Sequence, residues 1–95
     1  MNARLLIVDF RLGGCRSLKE KRQRLKGLRE RYGKATNVAV CESAFQDVLD
    51  RAQWSFVSTA AGGDVAERVL SEILASIQMS VDAEVVGVQQ ETLLP

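Results

Sequence analysis

Apolar residues follow two different spacings along this sequence, and the order of those spacings restricts the fold more than any other feature. Between residues 3 and 12 every second residue from Leu6 to Leu12 is apolar and the intervening positions are half apolar, which is typical of a strand in the middle of a sheet. In the next segment Leu18, Leu25 and Leu28 recur at helical spacing. Two alternating runs, a second helical repeat and a last alternating run follow. The predicted order is therefore strand, helix, strand, strand, helix, strand.

Turn and capping residues divide the chain at the same places. Ser17 is the predicted N-cap of the first helix, and Glu20, three residues later, completes a capping box. Asp64 and Glu67 repeat this arrangement before the second helix. Gly33 is predicted to close the first helix in a left-handed conformation. The predicted strands cover residues 3–12, 36–43, 52–61 and 83–90, and a short tail is predicted after them.

This order of elements is the split βαβ motif. We expect one α+β domain over residues 1–95, because a chain of this length buries enough surface for a single core. The predicted fold is a ferredoxin-like βαββαβ sandwich. Its four-stranded sheet is antiparallel or mixed, with the first and third strands central and both helices on one face. The strand residues expected to face the helices are Leu6, Val8, Phe10, Val38, Val40, Trp54, Phe56, Val86 and Val88.

The opposite face of the predicted sheet carries several apolar residues among polar ones. An apolar patch of this kind is typical of a contact surface, since water disfavours it. We therefore expect a homodimer or another protein partner at this face. The residues of this predicted contact face are Leu5, Ile7, Ala39, Cys41 and Val57.

Composition argues against several classes of protein. The chain has two cysteines, no C-x-x-C spacing and no histidine, so we expect reduced thiols, no disulfide framework, no metal site and no cofactor. The apolar run from Leu5 to Val8 is too short for a signal segment or a membrane span. We expect a cytoplasmic protein without a membrane role.

Charge is strongly segregated along the chain. Residues 11–34 contain ten basic and two acidic residues, a net charge of +8, whereas the rest contains three basic and ten acidic residues, a net charge of −7. The overall net charge of +1 hides this division. A positive segment in an otherwise acidic chain indicates an anionic partner for that segment.

The first helix arranges most of this positive charge on one surface. At about 100° per residue, every third or fourth position forms a stripe beside the apolar arc. Arg24 and Arg31 form a second row on the other flank, and Lys21 lies close to the apolar arc. Stacked cations match a nucleic-acid backbone, although a solvated helix face is the alternative. The predicted phosphate contacts are Arg16, Lys19, Lys21, Arg22, Lys26 and Arg29.

Three other features suggest chemistry less strongly. The Gly13-Gly14 turn leads into a helix start, where backbone N–H groups can hold a phosphate, but it matches no nucleotide-binding motif. Cys15 lies at the same helix start without a base or a second cysteine nearby. Trp54 and Phe56 lie on a predicted central strand, as in the RNA-recognition motif, but core packing is the favoured interpretation.

Polar residues cluster around the predicted connection between the second and third strands. Carboxylates in proximity can perform acid–base chemistry, but such residues more often fix a loop. With no histidine and no nucleophile–base spacing, we assign no catalytic residue, no enzyme activity and no small-molecule substrate. The residues of this cluster, whose role stays open, are Glu42, Gln46, Asp47 and Arg51.

The run RSLKEKR at residues 16–22 resembles the start of the first helix in the YlxP-like family (domain of unknown function 503), a group of small bacterial proteins. Glu42, the Gln46-Asp47 pair and the Arg51-Ala52 pair provide a second match. The resemblance implies a ferredoxin-like fold and no known activity. Members are often encoded beside translation initiation factor two and ribosome-binding factor A, which implies a role in ribosome assembly or translation.

Two functional hypotheses follow. The first is a non-enzymatic RNA- or ribosome-associated accessory protein, with rRNA or a ribosomal particle as partner of the basic first helix. The second is a homo-oligomeric protein–protein interaction module that binds through the open sheet face and has no nucleic-acid role.

Overall fold

A computed structural model describes residues 1–95 and contains all six predicted elements in the predicted order. The strands are β1 (Asn2–Arg11), β2 (Val38–Ala44), β3 (Arg51–Ala60) and β4 (Glu84–Leu94). The helices are α1 (Leu18–Tyr32) and α2 (Gly63–Ser80). The sheet order is β2-β3-β1-β4 and every neighbouring pair is antiparallel. The structure is therefore a ferredoxin-like α+β fold, with the first and third strands central as predicted.

The core lies between the helices and one face of the sheet. Even-numbered residues of β1 and β3 supply its centre, and Leu6, Phe10 and Phe56 are at most 1% exposed. Full burial of one such side chain contributes about 1.5–3 kcal/mol. Neither helix combines the length and the apolar character needed to cross a membrane. The helices complete the core with Leu25, Leu28, Leu70, Ile73 and Ile77.

The helix ends agree only in part with the predicted capping. The Ser17 hydroxyl accepts a hydrogen bond from the Glu20 N–H at 3.0 Å, which confirms this N-cap. The prediction that Asp64 caps α2 is wrong, because Gly62 is the N-cap and no side chain bonds to the helix start. Gly33 is right-handed, with φ of −68°, so the predicted left-handed closure of α1 is also wrong. Its N–H instead continues the helical pattern to the Arg29 carbonyl.

Strand β4 differs most from expectation. It runs to Leu94, four residues beyond the predicted end, and stays paired with β1 throughout. A register shift between Asp9 and Phe10 places Val85, rather than Val86, opposite Phe10. Such a bulge inserts one residue and reverses the alternation of the strand. As a result Val86 is 51% exposed, whereas Val85 packs against the core. Val88 stands opposite Val8 but lies on the edge strand and is 42% exposed.

The bulge predicts different consequences for two adjacent, identical side chains. Val85→Ala should lower the free energy of unfolding by about 1–2 kcal/mol, because it removes packed methyl groups. Val86→Ala should lower the free energy of unfolding less than Val85→Ala does. Both substitutions lose the same strand propensity, but only Val85→Ala also loses core contacts. Urea unfolding of the two variants measures the difference. A larger loss for Val86→Ala would contradict the bulge.

Candidate functional site

One flank of α1 uses its cations to hold the fold together. The Arg24 guanidinium donates to the carbonyl oxygens of Gly13 and Asp82, each at 2.9 Å, and forms ion pairs with Glu20 at 3.4 Å and with the Asp82 carboxylate at 3.3 Å. Arg31 donates to the Ser76 hydroxyl on α2 at 2.7 Å. This is the predicted second row of cations. These two arginines connect α1 to α2 and to the adjoining turns, so their guanidinium groups bond to partners within the molecule.

The other flank of α1 carries four cations whose side chains form no hydrogen bond. All four are exposed, and none forms an ion pair. Arg16, just before the helix, is also exposed and without an ion pair. The predicted stripe therefore exists as an uncompensated surface, which we call the basic stripe. Its members are Lys19, Arg22, Lys26 and Arg29.

Lys21 occupies a different environment from its basic neighbours. Its side chain is only 3% exposed. The ammonium donates to the carbonyl oxygens of Phe45 at 2.6 Å and Val48 at 2.8 Å, with that of Gln46 at 3.4 Å. It also forms an ion pair with Glu42 Oε2 at 3.2 Å. An ammonium surrounded by these oxygens is not accessible to a phosphate, so Lys21 leaves the predicted set of phosphate contacts.

The β2–β3 connection is organised around Lys21. Phe45 adopts a left-handed backbone with φ of 64°, which costs roughly 1–2 kcal/mol for a residue with a side chain. Two contacts help to hold Phe45 in this conformation. The Lys21 ammonium donates to the Phe45 carbonyl, and the Arg51 guanidinium lies 4.2 Å from the centroid of the Phe45 ring. Gln46 Nε2 donates to the Glu42 carbonyl at 3.2 Å. Three of the four residues in the predicted polar cluster therefore fix this loop.

A cleft of about 390 Å³ opens between α1 and the β2–β3 side of the sheet. Its positive side comes from three members of the basic stripe, whereas Glu30 and Asp47 supply negative charge at its margin. Glu42 also lines it, but its charge is balanced by Lys21. Trp54 lines the cleft from β3 and lies beneath the Arg29 guanidinium, 5.7 Å from its ring centroid. The stripe residues that line the cleft are Arg22, Lys26 and Arg29.

Two buried polar atoms among the residues of this cleft have no hydrogen-bond partner. They are the indole nitrogen Nε1 of Trp54 and Oε2 of Glu42, of which Oε2 has the ion pair with Lys21 and Nε1 has no partner of any kind. The two residues stand opposite each other in the β2–β3 register. Trp54 is 6% exposed, so its predicted core position is confirmed, but its unpaired N–H was not predicted. A buried tryptophan normally finds a partner for this donor, and no sequence pattern reveals its absence.

The open face of the sheet brings together all five residues predicted for it. Leu5, Val57 and Ala39 are aligned across β1, β3 and β2, and Ser55 separates Ile7 from Cys41 in the adjacent row. The residues on the central strands are half-buried, and Ala39 and Cys41 are exposed. The patch is therefore continuous and apolar at its centre.

Comparison with known proteins places the chain in a family. The family model described as "Protein of unknown function (DUF503)" matches residues 4–90. The chain belongs to the DUF503 family. Comparison with curated proteins finds none that matches this DUF503 protein.

A solved structure with the same arrangement is that of At3g17210 from Arabidopsis thaliana. It is similar with a TM-score of 0.52 and 13% sequence identity, over 100% of the DUF503 protein and 95% of the other chain. At this level of identity the likeness shows the fold alone.

The cysteines of the DUF503 protein lie outside the cleft. Cys15 is partly buried against the core and its thiol donates to the Ser17 carbonyl at 3.4 Å. Cys41 is exposed on the open face. The polar groups that line the cleft are cations, carboxylates, one amide and one indole.

Substitution of the two lysines at the start of α1 should change stability by very different amounts. Lys21→Ala should lower the free energy of unfolding by about 3–5 kcal/mol, because it leaves Glu42 and the loop carbonyls without their buried partner. Lys19→Ala removes an exposed ammonium in the same helical turn and should change the free energy of unfolding by less than about 0.5 kcal/mol. Urea unfolding compares the two. Equal effects would show that Lys21 does not hold the loop.

Proposed function

We propose that this DUF503 protein is a non-enzymatic, RNA- or ribosome-associated accessory protein that binds RNA through the basic stripe. One observation carries the proposal. Four exposed cations share one flank of α1 without an ion pair, while Arg24 and Arg31 on the opposite flank bond within the molecule. Like charges three and four residues apart destabilise a helix by tenths of a kcal/mol, and an anionic partner would relieve this repulsion.

The dimensions of the basic stripe suit a nucleic-acid strand. From Lys19 to Arg29 it covers about 15 Å of helix. One strand of a DNA duplex places about four phosphates along this length, and the stripe offers one cation for each. The acidic remainder of the chain, with its net charge of −7, would repel nucleic acid from other surfaces.

The ribosomal part of the proposal has a separate basis. It depends on the association of YlxP-like genes with translation factors, which the family resemblance implies. An rRNA segment or a ribosomal particle is therefore the proposed partner. We also propose a cytoplasmic location, since both thiols are free and the proposed partner is there.

The basic stripe predicts a steep salt dependence of RNA binding. With about four phosphate contacts, the logarithm of the binding constant for single-stranded RNA should fall with the logarithm of salt concentration with a slope of about −3. Arg22→Ala should reduce the magnitude of this slope by about 1, because one contact is lost. Arg68→Ala removes an exposed, unpaired cation from α2 and serves as the matched control. Titration of labelled rRNA fragments across a salt series measures both.

Two results of this titration would contradict RNA binding through the basic stripe. The first is a salt-independent or absent signal with every rRNA fragment. The second is an equal loss in the Arg22 and Arg68 variants, which would indicate attraction by overall charge alone.

The open sheet face supports a second candidate function, a homodimer formed by two copies of this face. Leu5, Ile7 and Val57 lie together at its centre on the two central strands, where a monomer would leave them in contact with water. An isologous dimer covers the same patch on both subunits. This surface is separate from the basic stripe, so the two functions are compatible.

If the protein is a homodimer, its mass in solution should be twice the chain mass, and a substitution at the interface should reduce it to that of one chain. Light scattering of the wild type should give twice the chain mass of 10.5 kDa. Ile7→Asp should give a monomer, because it places a charge in the apolar centre of the interface. Met79→Asp changes an apolar side chain that is 89% exposed on α2 and should leave the dimer intact. A wild-type monomer at high concentration would rule the interface out.

A further inference from the structure

The cleft beside the basic stripe contains a buried hydrogen-bond donor without a partner, Trp54 Nε1, beside the carboxylate of Glu42, whose Oε2 is paired only with the Lys21 ammonium at 3.2 Å. Trp54 Nε1 and Glu42 Oε2 belong to residues that face each other across β2 and β3, and both residues line the cleft. Buried polar groups are normally paired, so the unpaired indole N–H in this cleft requires an explanation.

We infer that this cleft is a pocket for one unstacked nucleobase of the bound RNA strand. The inference rests on the proposed function and assigns to the cleft the part of RNA binding that the basic stripe does not supply. A nucleobase edge carries donors and acceptors side by side, which is the complement of the Trp54 N–H and the Glu42 carboxylate. Proteins that bind single-stranded RNA commonly hold splayed bases in this way.

The charges of the cleft favour a base over a phosphate in its interior. Glu30 and Asp47 line it without an ion pair and would repel a phosphate, whereas Arg22 and Lys26 are exposed and would attract the backbone. The Lys21 ammonium offsets the charge of Glu42, so an uncharged ligand next to this carboxylate is not disfavoured. The volume of about 390 Å³ is in the range of small-molecule pockets.

Arg29 connects the pocket to the basic stripe. Its guanidinium lies over the Trp54 ring at 5.7 Å from the centroid, and the side chain is exposed with no ion pair to hold it. Movement of Arg29 onto a phosphate would uncover the indole. Backbone binding and entry of a base would then occur together.

Trp54 is the only tryptophan of the chain, so its fluorescence reports on this pocket directly. The probes are a short single-stranded RNA oligomer, the same oligomer with abasic positions, and inorganic polyphosphate of equal charge. We expect the intact oligomer to change the Trp54 emission and to bind about ten-fold more tightly than the abasic one. Polyphosphate should bind in a salt-dependent way and change the emission less than the intact oligomer, because it can draw Arg29 off the ring but places no base against the indole.

The Trp54→Phe variant tests the donor with fluorescently labelled RNA. It keeps an aromatic ring in the core but removes the N–H, so it should lose the preference for the intact oligomer and keep the salt-dependent binding. Circular dichroism checks that the variant folds, and the wild-type comparison of the three probes does not depend on it.

The outcomes separate this inference from the proposed function. Equal binding of intact and abasic oligomers, with silent Trp54 emission and a steep salt dependence, overturns the base pocket and leaves RNA binding by the basic stripe in place. Absence of binding to all three probes overturns both.

Discussion

The buried ammonium of Lys21 is the interaction on which the candidate site depends. It reaches from α1 into the β2–β3 connection, where three backbone carbonyls and Glu42 surround it. Core packing by Leu25 and Leu28 places α1 on the sheet, but this packing alone would not fix the loop beside it. Because Lys21 holds the loop, its left-handed Phe45 is maintained and the cleft has a second wall. A buried charge that loses its partner is strongly destabilising, so the arrangement is maintained as a unit.

The cations of α1 divide into three groups by what surrounds them. Arg24 and Arg31 bond to α2 and its neighbouring turns, and Lys21 bonds to the β2–β3 loop. The basic stripe has no such partners. Apart from the contact of Arg29 with the Trp54 ring, its charge adds repulsion without adding structural contacts, which does not favour stability. The phosphate backbone that we propose as its partner would relieve this repulsion.

The sequence allowed the order of elements, the central strands and the basic stripe to be predicted, because each depends on local spacing. The predicted N-cap at Ser17 held for the same reason. Two errors were local, at the helix ends assigned to Asp64 and Gly33. The others arose where tertiary contacts decide. The bulge that exposes Val86 leaves no local pattern, and a non-glycine residue such as Phe45 gives no signal of a positive φ. Helical spacing located Lys21 near the apolar arc but did not show that loop carbonyls would enclose its ammonium.

The most direct test of the account is the amide spectrum of the isotope-labelled protein, recorded by nuclear magnetic resonance during titration with a short single-stranded RNA. The account predicts shift changes at residues 22–29, at residues 42–47 and at the indole N–H of Trp54, which gives its own signal. Residues 68–79 of α2 should change little. Changes confined to the open sheet face, or no change at low salt, would contradict RNA binding at the basic stripe and its cleft.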